Sequence, residues 1–217
     1  MYVIIKIFNI WINFLFKKKY FLEFFLTLIF SFSFSFLFRR FLFLVESWDH
    51  SLGVFNDPLF FLDPINLSQP IFIITYFSFF FYIFYHLNEP IKLINLIQII
   101  VILLSFRIVS LYFIRLDADP NMIVLQDPIL NLFVYQINPQ TGLYNCHDLF
   151  FSGHTANLFL LSILYTNKKL KYFFLILTFV VGTCLILQRA HYSIDVVFAP
   201  FFSILALVLH RKIKNIR

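Results

Sequence analysis

Long apolar runs, separated by short polar segments, are the feature that most restricts how this chain can fold. The runs lie at 20–38, 70–87, 92–114, 154–167, 171–188 and 192–209. About 20 apolar residues of helix cross the roughly 30 Å hydrocarbon core of a bilayer, and a helix satisfies its own backbone hydrogen bonds there. The pattern predicts an all-α membrane bundle of about six transmembrane helices, the fourth with its polar start in the head-group layer.

The composition excludes a water-soluble domain. Apolar residues make up 61% of the 217 and charged residues only 13%, about half of the charged fraction of soluble proteins. We expect residues 1–19 to lie in the membrane interface, 20–210 to form the six-helix membrane domain and 211–217 to form a basic cytoplasmic tail.

The lysines predict the orientation of the chain in the membrane. All ten fall at span ends, loops or termini on one side, and none falls on the other. Lysine is enriched in cytoplasmic loops, so both termini are expected in the cytoplasm and the segments 140–154 and 189–195 on the opposite face. That face has no lysine, which argues against nucleic acid as a partner.

The arginines and acidic residues show the opposite bias. Nine of the eleven Asp and Glu residues lie on the non-cytoplasmic side, where five arginines lie at or near span ends: Arg39, Arg40, Arg107, Arg115 and Arg189. Charges at this depth are costly unless they are used. Arg39 and Arg40 fit lipid anchors equally well. Arginine is suited to bidentate phosphate binding, so we expect a phosphate site with Arg115 and Arg189 as its first ligands and Arg107 as a further one.

Two polar clusters interrupt the apolar sequence on this side. In QRAHYSIDV, residues 188–196, His191 and Asp195 are four residues apart and share one face of a helix. A carboxylate at that spacing accepts the Nδ1–H of the imidazole and leaves Nε2 free as a nucleophile.

The other cluster is HDLFFSGHTA, residues 147–156, in which His154 opens the fourth span directly after Ser152 and Gly153. Gly153 lets a ligand approach the backbone, and the N-terminus of the helix attracts an anion. Because the fourth and sixth spans both have these ends on the outer side, His154 and His191 are expected to meet.

Two histidines, one held by a carboxylate, beside arginines and a helix N-terminus suit phosphoryl transfer. One imidazole attacks phosphorus while the other protonates the leaving oxygen. Taken singly, His154 also fits a helix cap, and His191 fits an interfacial residue bonded to Asp195.

The remaining polar residues of the first cluster leave alternatives open. Asp148 is placed to orient Arg189, His147 or the loop backbone. Cys146, His147, Asp148 and His154 have metal-ligating side chains, but not in a familiar zinc spacing, so neither a metal nor another cofactor is expected.

Both clusters resemble the motifs of a known family. CHDLFFSGHT is similar to the Cys-Gly-Asp-x-x-x-Ser-Gly-His-Thr motif of sphingomyelin synthases and related ceramide phosphotransferases, and HYSIDVVFA to their His-Tyr-Ser/Thr-x-Asp-Val motif. Upstream, LYFIR, with Tyr112 and Arg115, resembles their Tyr-x-x-Arg element, and NDPL at 56–59 is similar to an Asp-Pro element of related proteins. These proteins belong to the superfamily of type 2 phosphatidic acid phosphatases, whose order and number of spans agree with this chain after residue 20.

The chain departs from the family pattern at a few positions. His147 replaces a glycine, and no segment matches the Lys-x6-Arg-Pro motif of the soluble and lipid phosphatases. Their third motif has an arginine six residues before the histidine, where this chain has Leu185. Arg189, two residues before His191, is closer to the synthase pattern. The resemblance therefore favours the synthase-like branch.

The resemblance implies an integral membrane lipid phosphotransferase with His154, His191 and Asp195 as its catalytic triad on the non-cytoplasmic face. It would move a phosphorylated head group from a phospholipid donor to an acceptor lipid such as ceramide or diacylglycerol, through a phosphohistidine-type intermediate. The expected substrate-binding residues are Arg107, Tyr112, Arg115, Asp148, Ser152, Gly153 and Arg189. Two alternatives stay open: a lipid phosphate phosphatase, in which water replaces the acceptor, and a non-catalytic membrane scaffold.

Overall fold

The computed structural model describes residues 2–49, 52–127 and 146–216, and within these ranges the chain forms seven helices. They are α1 (Tyr2–Leu15), α2 (Lys18–Val45), α3 (Ser68–Tyr85), α4 (Pro90–Phe113), α5 (Gly153–Leu164), α6 (Lys168–Leu187) and α7 (Ser193–Ile216). In the same ranges the extended pairing is limited to one isolated bridge between Val54 and Asp117. The predicted all-α helical fold is confirmed. Residues 140–145 of the predicted outer segment lie outside the described residues.

Five of the helices, α2, α3, α4, α6 and α7, are long and apolar enough to cross a bilayer, which identifies an integral multi-pass membrane protein. The predicted fourth span corresponds to α5, which has 12 residues. At 1.5 Å per residue such a helix is about 18 Å long, well short of the hydrocarbon core. The count of six spans therefore stays a prediction.

Helix α5 lies at the centre of the bundle, where α6, α7 and α3 pack around it. Its Ala156, Leu158, Leu160 and Leu161 are fully buried. The side chains that face outward on the long helices are apolar and exposed, as Phe32 and Phe179 are, which is the pattern expected of a surface in contact with lipid.

Helices α6 and α7 approach each other closely at Gly182. A Cβ atom at this position would lie 2.7 Å from Cγ1 of Val196, which is closer than atoms can pack. Glycine at an interface lets two helix backbones come near each other. Val196 follows Asp195 in the first turns of α7, so this contact sets where that turn lies against α6.

A polar network joins α2 to α4 and α7 at the end of the bundle where the lysines lie. Nε2 of Gln98 donates to Oγ1 of Thr27 (2.8 Å), and a ring nitrogen of His210 lies 3.0 Å from Oε1 of Gln98. Lys214 forms an ion pair with Glu23. Polar side chains in an apolar environment find partners of this kind, and here they hold one half of α2 against the bundle.

At the N-terminal end the predicted interfacial segment contains a separate helix, whereas at the C-terminal end the predicted tail is part of α7. α1 is a separate helix whose Trp11 donates from Nε1 to the carbonyl of Leu87, just after α3 (2.8 Å). α7 continues without a break to Ile216, so the described part of the predicted tail forms its last turns. The division into interfacial segment, membrane domain and tail stays a prediction.

The orientation can be tested by cysteine labelling in a variant whose two native cysteines are replaced. Asn121→Cys, in the segment after α4, should react with a membrane-impermeant maleimide added to intact cells, because the distribution of lysines predicts that this segment lies outside. Asn167→Cys, before α6, should react only after the membrane is permeabilised. Both positions are exposed, so the reverse pattern would invert the orientation of the whole bundle.

Candidate active site

The sharp turn between α6 and α7 places His191. Gln188 follows the last turn of α6, and Arg189 adopts the left-handed backbone conformation with φ 56°. Glycine is common at this position after a helix, because the left-handed region crowds a Cβ atom. The amide of Ala190 donates back to the carbonyl of Leu185 (3.0 Å), which ends the helix and turns the chain toward His191.

The fully buried side chain of Gln188 anchors this turn to two other segments. Its Oε1 accepts a hydrogen bond from the amide of Leu67 (2.8 Å), while Nε2 donates to Oγ of Ser68 (2.9 Å) and to the carbonyl of Ile123 (3.0 Å). The start of α3 and the segment after α4 are thereby tied to the turn that holds His191.

His191 and Asp195 form the pair that their spacing predicts. Nδ1 of His191 lies 3.2 Å from Oδ2 of Asp195, and the same oxygen accepts a hydrogen bond from the amide of Tyr192 (3.1 Å). Both side chains are buried. Since Asp195 engages Nδ1, Nε2 is the ring nitrogen left for a ligand.

The two histidine clusters are joined through the backbone. The amide of Ser152 donates to the carbonyl of Asp195 (3.0 Å). Ser152 is the N-cap of α5: its Oγ accepts from the amide of Thr155 (3.4 Å) and donates to Oγ1 of Thr155 (3.0 Å). The buried Ser152 hydroxyl is therefore committed to the helix start and is not directed at a ligand.

Arg107 on α4 is buried, with 3% of its surface exposed, and is held by Asp148. Nε and Nη2 contact Oδ1 of Asp148 at 2.9 and 2.8 Å, and Nη2 also donates to its carbonyl oxygen (2.9 Å). Nη1 is buried and has no hydrogen-bond partner among the described residues. A Cβ atom at Gly153 would lie 3.4 Å from this nitrogen, so Nη1 reaches the first turn of α5.

One cavity of about 600 Å³ contains these groups. His154, His191, Arg107, Asp148 and Gly153 line it. Its remaining walls come mainly from α2, α3 and the segment after α4, and the ring of Phe72 meets His154 edge-on with 5.3 Å between the ring centres. The N-terminus of α5 also faces this space through Gly153, so donors and two imidazoles converge on it.

Like Ser152, three further predicted substrate-binding residues do not line the cavity. The Arg115 guanidinium stacks on Trp48 at 4.8 Å, and its Nε donates to the carbonyl of Tyr112 (3.4 Å). Tyr112 is itself exposed on α4. Arg189 pairs with Asp119 at 3.3 Å and donates to the carbonyls of Phe60 and Leu62. These contacts hold segments outside the helices together. The two arginines expected to be the first ligands do not line the cavity, whereas Arg107 does.

Several residues that are not among the predicted catalytic and substrate-binding residues also line the cavity: Arg39, Tyr76, Asp127, Cys146 and Asn157. Asp127 is buried and accepts a hydrogen bond from the Tyr76 hydroxyl. Asn157 follows His154 by three residues, and its buried Oδ1 has no partner among the described residues. The helical spacing was a usable signal for Asn157, whereas the position of Asp127 depends on the path of a loop.

The comparisons with known proteins concern the same part of the chain. Residues 145–212 match the model of the PAP2 superfamily C-terminal domain. No curated protein and no solved structure gave a significant match. The matched stretch includes α5, α6, most of α7 and both histidine clusters. It supports a relationship of this chain to the PAP2 superfamily and, with it, an enzymatic activity of the phosphatase or phosphotransferase type on lipids.

Proposed function

We propose that the protein is a lipid phosphotransferase that moves a phosphorylated head group from a phospholipid to the hydroxyl of an acceptor lipid such as ceramide. One observation supports this above the others. A single cavity places the two histidines beside Arg107, whose buried Nη1 has no partner among the described residues. A phosphate oxygen would supply the missing acceptor.

In the first step, Nε2 of His191 attacks phosphorus and the bond from phosphorus to the diacylglycerol oxygen breaks. Asp195, bound at Nδ1, stabilises the positive charge that develops on the imidazole. His154 donates its proton to the departing oxygen, which leaves as diacylglycerol. The head group is then attached to His191 as a phosphohistidine.

In the second step, His154 is neutral and accepts the proton of the acceptor hydroxyl. The acceptor oxygen attacks phosphorus, the bond from phosphorus to Nε2 breaks, and both histidines return to their starting forms. Arg107 and the amide groups at the start of α5 stabilise the charge on the phosphoryl oxygens in both steps. Asp148 fixes the guanidinium in position through its hydrogen bonds.

The cavity walls support a lipid acceptor over water. Phe38 and Leu42 on α2, Phe72 on α3 and Leu104 on α4 give the site a largely apolar lining. Water competes poorly for a reactive intermediate where apolar side chains exclude it. A hydrolase is the second candidate, because the PAP2 match supports phosphatase-type and phosphotransferase-type activity alike.

The two candidates can be separated in vesicles that contain the purified protein, a labelled phospholipid and either ceramide or no acceptor. A transferase yields diacylglycerol and labelled phosphosphingolipid in equal amounts, detected by mass spectrometry, and little product without ceramide. Release of the labelled head group into water at the same rate in both vesicles identifies a hydrolase. Absence of both products leaves the scaffold.

The roles of the two histidines predict different responses to the leaving group. His191→Ala should reduce turnover by about a thousandfold or more, because the covalent step is lost. Asp195→Asn should retain a small but measurable activity. His154→Ala should cost about a hundredfold or more with a phospholipid. A nitrophenyl phosphodiester, whose leaving group needs no proton, should partly rescue this variant. Initial rates with both substrates make the comparison.

The rescue should be specific to one histidine. The nitrophenyl substrate should not restore activity to His191→Ala, because a good leaving group does not replace a nucleophile. Rescue of His191→Ala instead would exchange the two roles. Full activity in both variants would place the reaction elsewhere in the molecule.

The two arginines on α4 and just after it form a matched pair for testing phosphate binding. Arg107→Lys keeps the charge but loses the planar donor group, and should lower kcat/KM by about tenfold to a hundredfold. Arg115→Lys changes a residue that does not line the cavity and should retain most activity. Both rates are normalised to folded protein from gel filtration. A larger loss in Arg115→Lys than in Arg107→Lys would contradict this assignment.

A further inference from the structure

His147 lies between two carboxylates beside the cavity. Its Nδ1 is 2.6 Å from Oε2 of Glu46, and its Nε2 is 3.0 Å from Oδ1 of Asp117. Its backbone amide donates to the other oxygen of Glu46 (2.8 Å). We call these three side chains the His147 clamp. It differs from the motif that the sequence resembles, which has glycine in place of His147.

The clamp needs a charged imidazole. A neutral imidazole has one N–H, and an ionised carboxylate only accepts hydrogen bonds. Both contacts are therefore hydrogen bonds only when both ring nitrogens of His147 are protonated. The Glu46 side chain is 4% exposed, and a carboxylate buried to that degree requires a counter-charge. The hydrogen bond to Glu46 raises the pKa of His147, and Asp117 adds to the effect, while burial opposes it.

The clamp connects three segments that build the site. Glu46 directly follows α2 as its C-cap residue, Asp117 belongs to the segment after α4, and His147 precedes α5. The next residue, Asp148, holds Arg107 in the cavity. The carbonyl of Asp117 accepts a hydrogen bond from the hydroxyl of Tyr192 (2.8 Å), the neighbour of His191.

We propose that His147, in its doubly protonated form, is a positioning residue that fixes Asp148 and therefore Arg107, and that phosphoryl transfer slows as pH rises and the clamp opens. The proposal rests on the proposed function of the same cavity. Among the residues that the structure describes, the charged side chains in contact with His147 are Glu46 from the end of α2 and Asp117 from the segment after α4, and Cys146 and Asp148 flank it in the chain.

The sign of the effect follows from the direction of the shift. A histidine whose pKa is raised on folding contributes stability that is fully present below its unfolded pKa and is lost as pH rises through the folded value. The clamp is therefore closed in acid and opens in alkali. The transfer rate should therefore fall at high pH as His147 loses its second proton. We call this fall in rate the alkaline limb.

The test compares the transfer rates of the purified protein and of four variants in vesicles between about pH 6 and pH 9, a range that spans an elevated histidine pKa. His147→Gln is neutral at every pH. At low pH its rate should be about tenfold below that of the wild type, and it should lack the fall in rate at high pH that belongs to His147. His147→Arg is charged at every pH, and its rate should remain high where the wild-type rate falls. Glu46→Gln should move the limb to lower pH, and Asp117→Asn should move it less, since Asp117 is further away and more exposed.

Two further measurements do not depend on turnover. The difference in Tm between wild type and His147→Gln, in detergent, should be large at low pH and shrink as pH rises. Orthovanadate, a phosphate analogue, should raise Tm more in wild type than in His147→Gln at low pH. Comparing the proteins at each pH removes the effect of vanadate's own titration.

The outcomes are distinct. The same alkaline limb in wild type and His147→Gln overturns the proposal, and so does a Tm difference that does not change with pH. A pH-dependent Tm difference with unchanged rates and vanadate binding makes His147 structural only, which also overturns it. If the wild type shows no turnover, the proposed function fails, and the vanadate and Tm measurements decide the role of His147.

Discussion

The ion pair between the buried Arg107 and the partly exposed Asp148 determines how the rest of the site is arranged. An arginine within an apolar helix costs on the order of 3 kcal/mol in a bilayer unless it is paired or solvated. Asp148 supplies both a carboxylate and a carbonyl to Arg107, which draws the segment before α5 against α4. Ser152 and Gly153 follow directly, so the N-terminus of α5 is fixed beside the guanidinium. The ion pair therefore stabilises the charge of Arg107 within the apolar bundle and leaves Nη1 as a donor that faces the cavity.

The sequence predicts those parts of the molecule that depend on periodicity. Apolar runs predict the all-α fold, and the spacing of His191 and Asp195 predicts their contact on one helix face. Ser152 is expected from the sequence to bind substrate, whereas in the structure its hydroxyl caps α5. The predicted spans also give each of these residues an approximate depth in the membrane. Because His154 and His191 have similar predicted depths, they can be expected to line one cavity. Their catalytic roles remain proposals.

The sequence is a poor guide to the arginines. The sequence predicts Arg115 and Arg189 as the first phosphate ligands and Arg107 as a further one, but the direction of each side chain depends on its helix face and on loops. Arg189 has a left-handed backbone, which neither its residue type nor its neighbours predict, and its side chain is directed at the carbonyls of Phe60 and Leu62. Arg115 comes after α4 ends and stacks on Trp48. The spacing of residues in the sequence likewise does not predict that Asp148 binds Arg107.

The close approach at Gly182 limits which substitutions this sequence can accept during evolution. The chain has 34 Phe and only 4 Gly. On the lipid-facing surface one large apolar residue can replace another at little cost, since it exchanges one contact with acyl chains for a similar one. At Gly182 even a methyl group would push Val196, and Asp195 beside it, away from α6. A compositional bias toward bulky residues can therefore spread freely over the outside of the bundle, whereas at this one position it meets a steric limit imposed by the site.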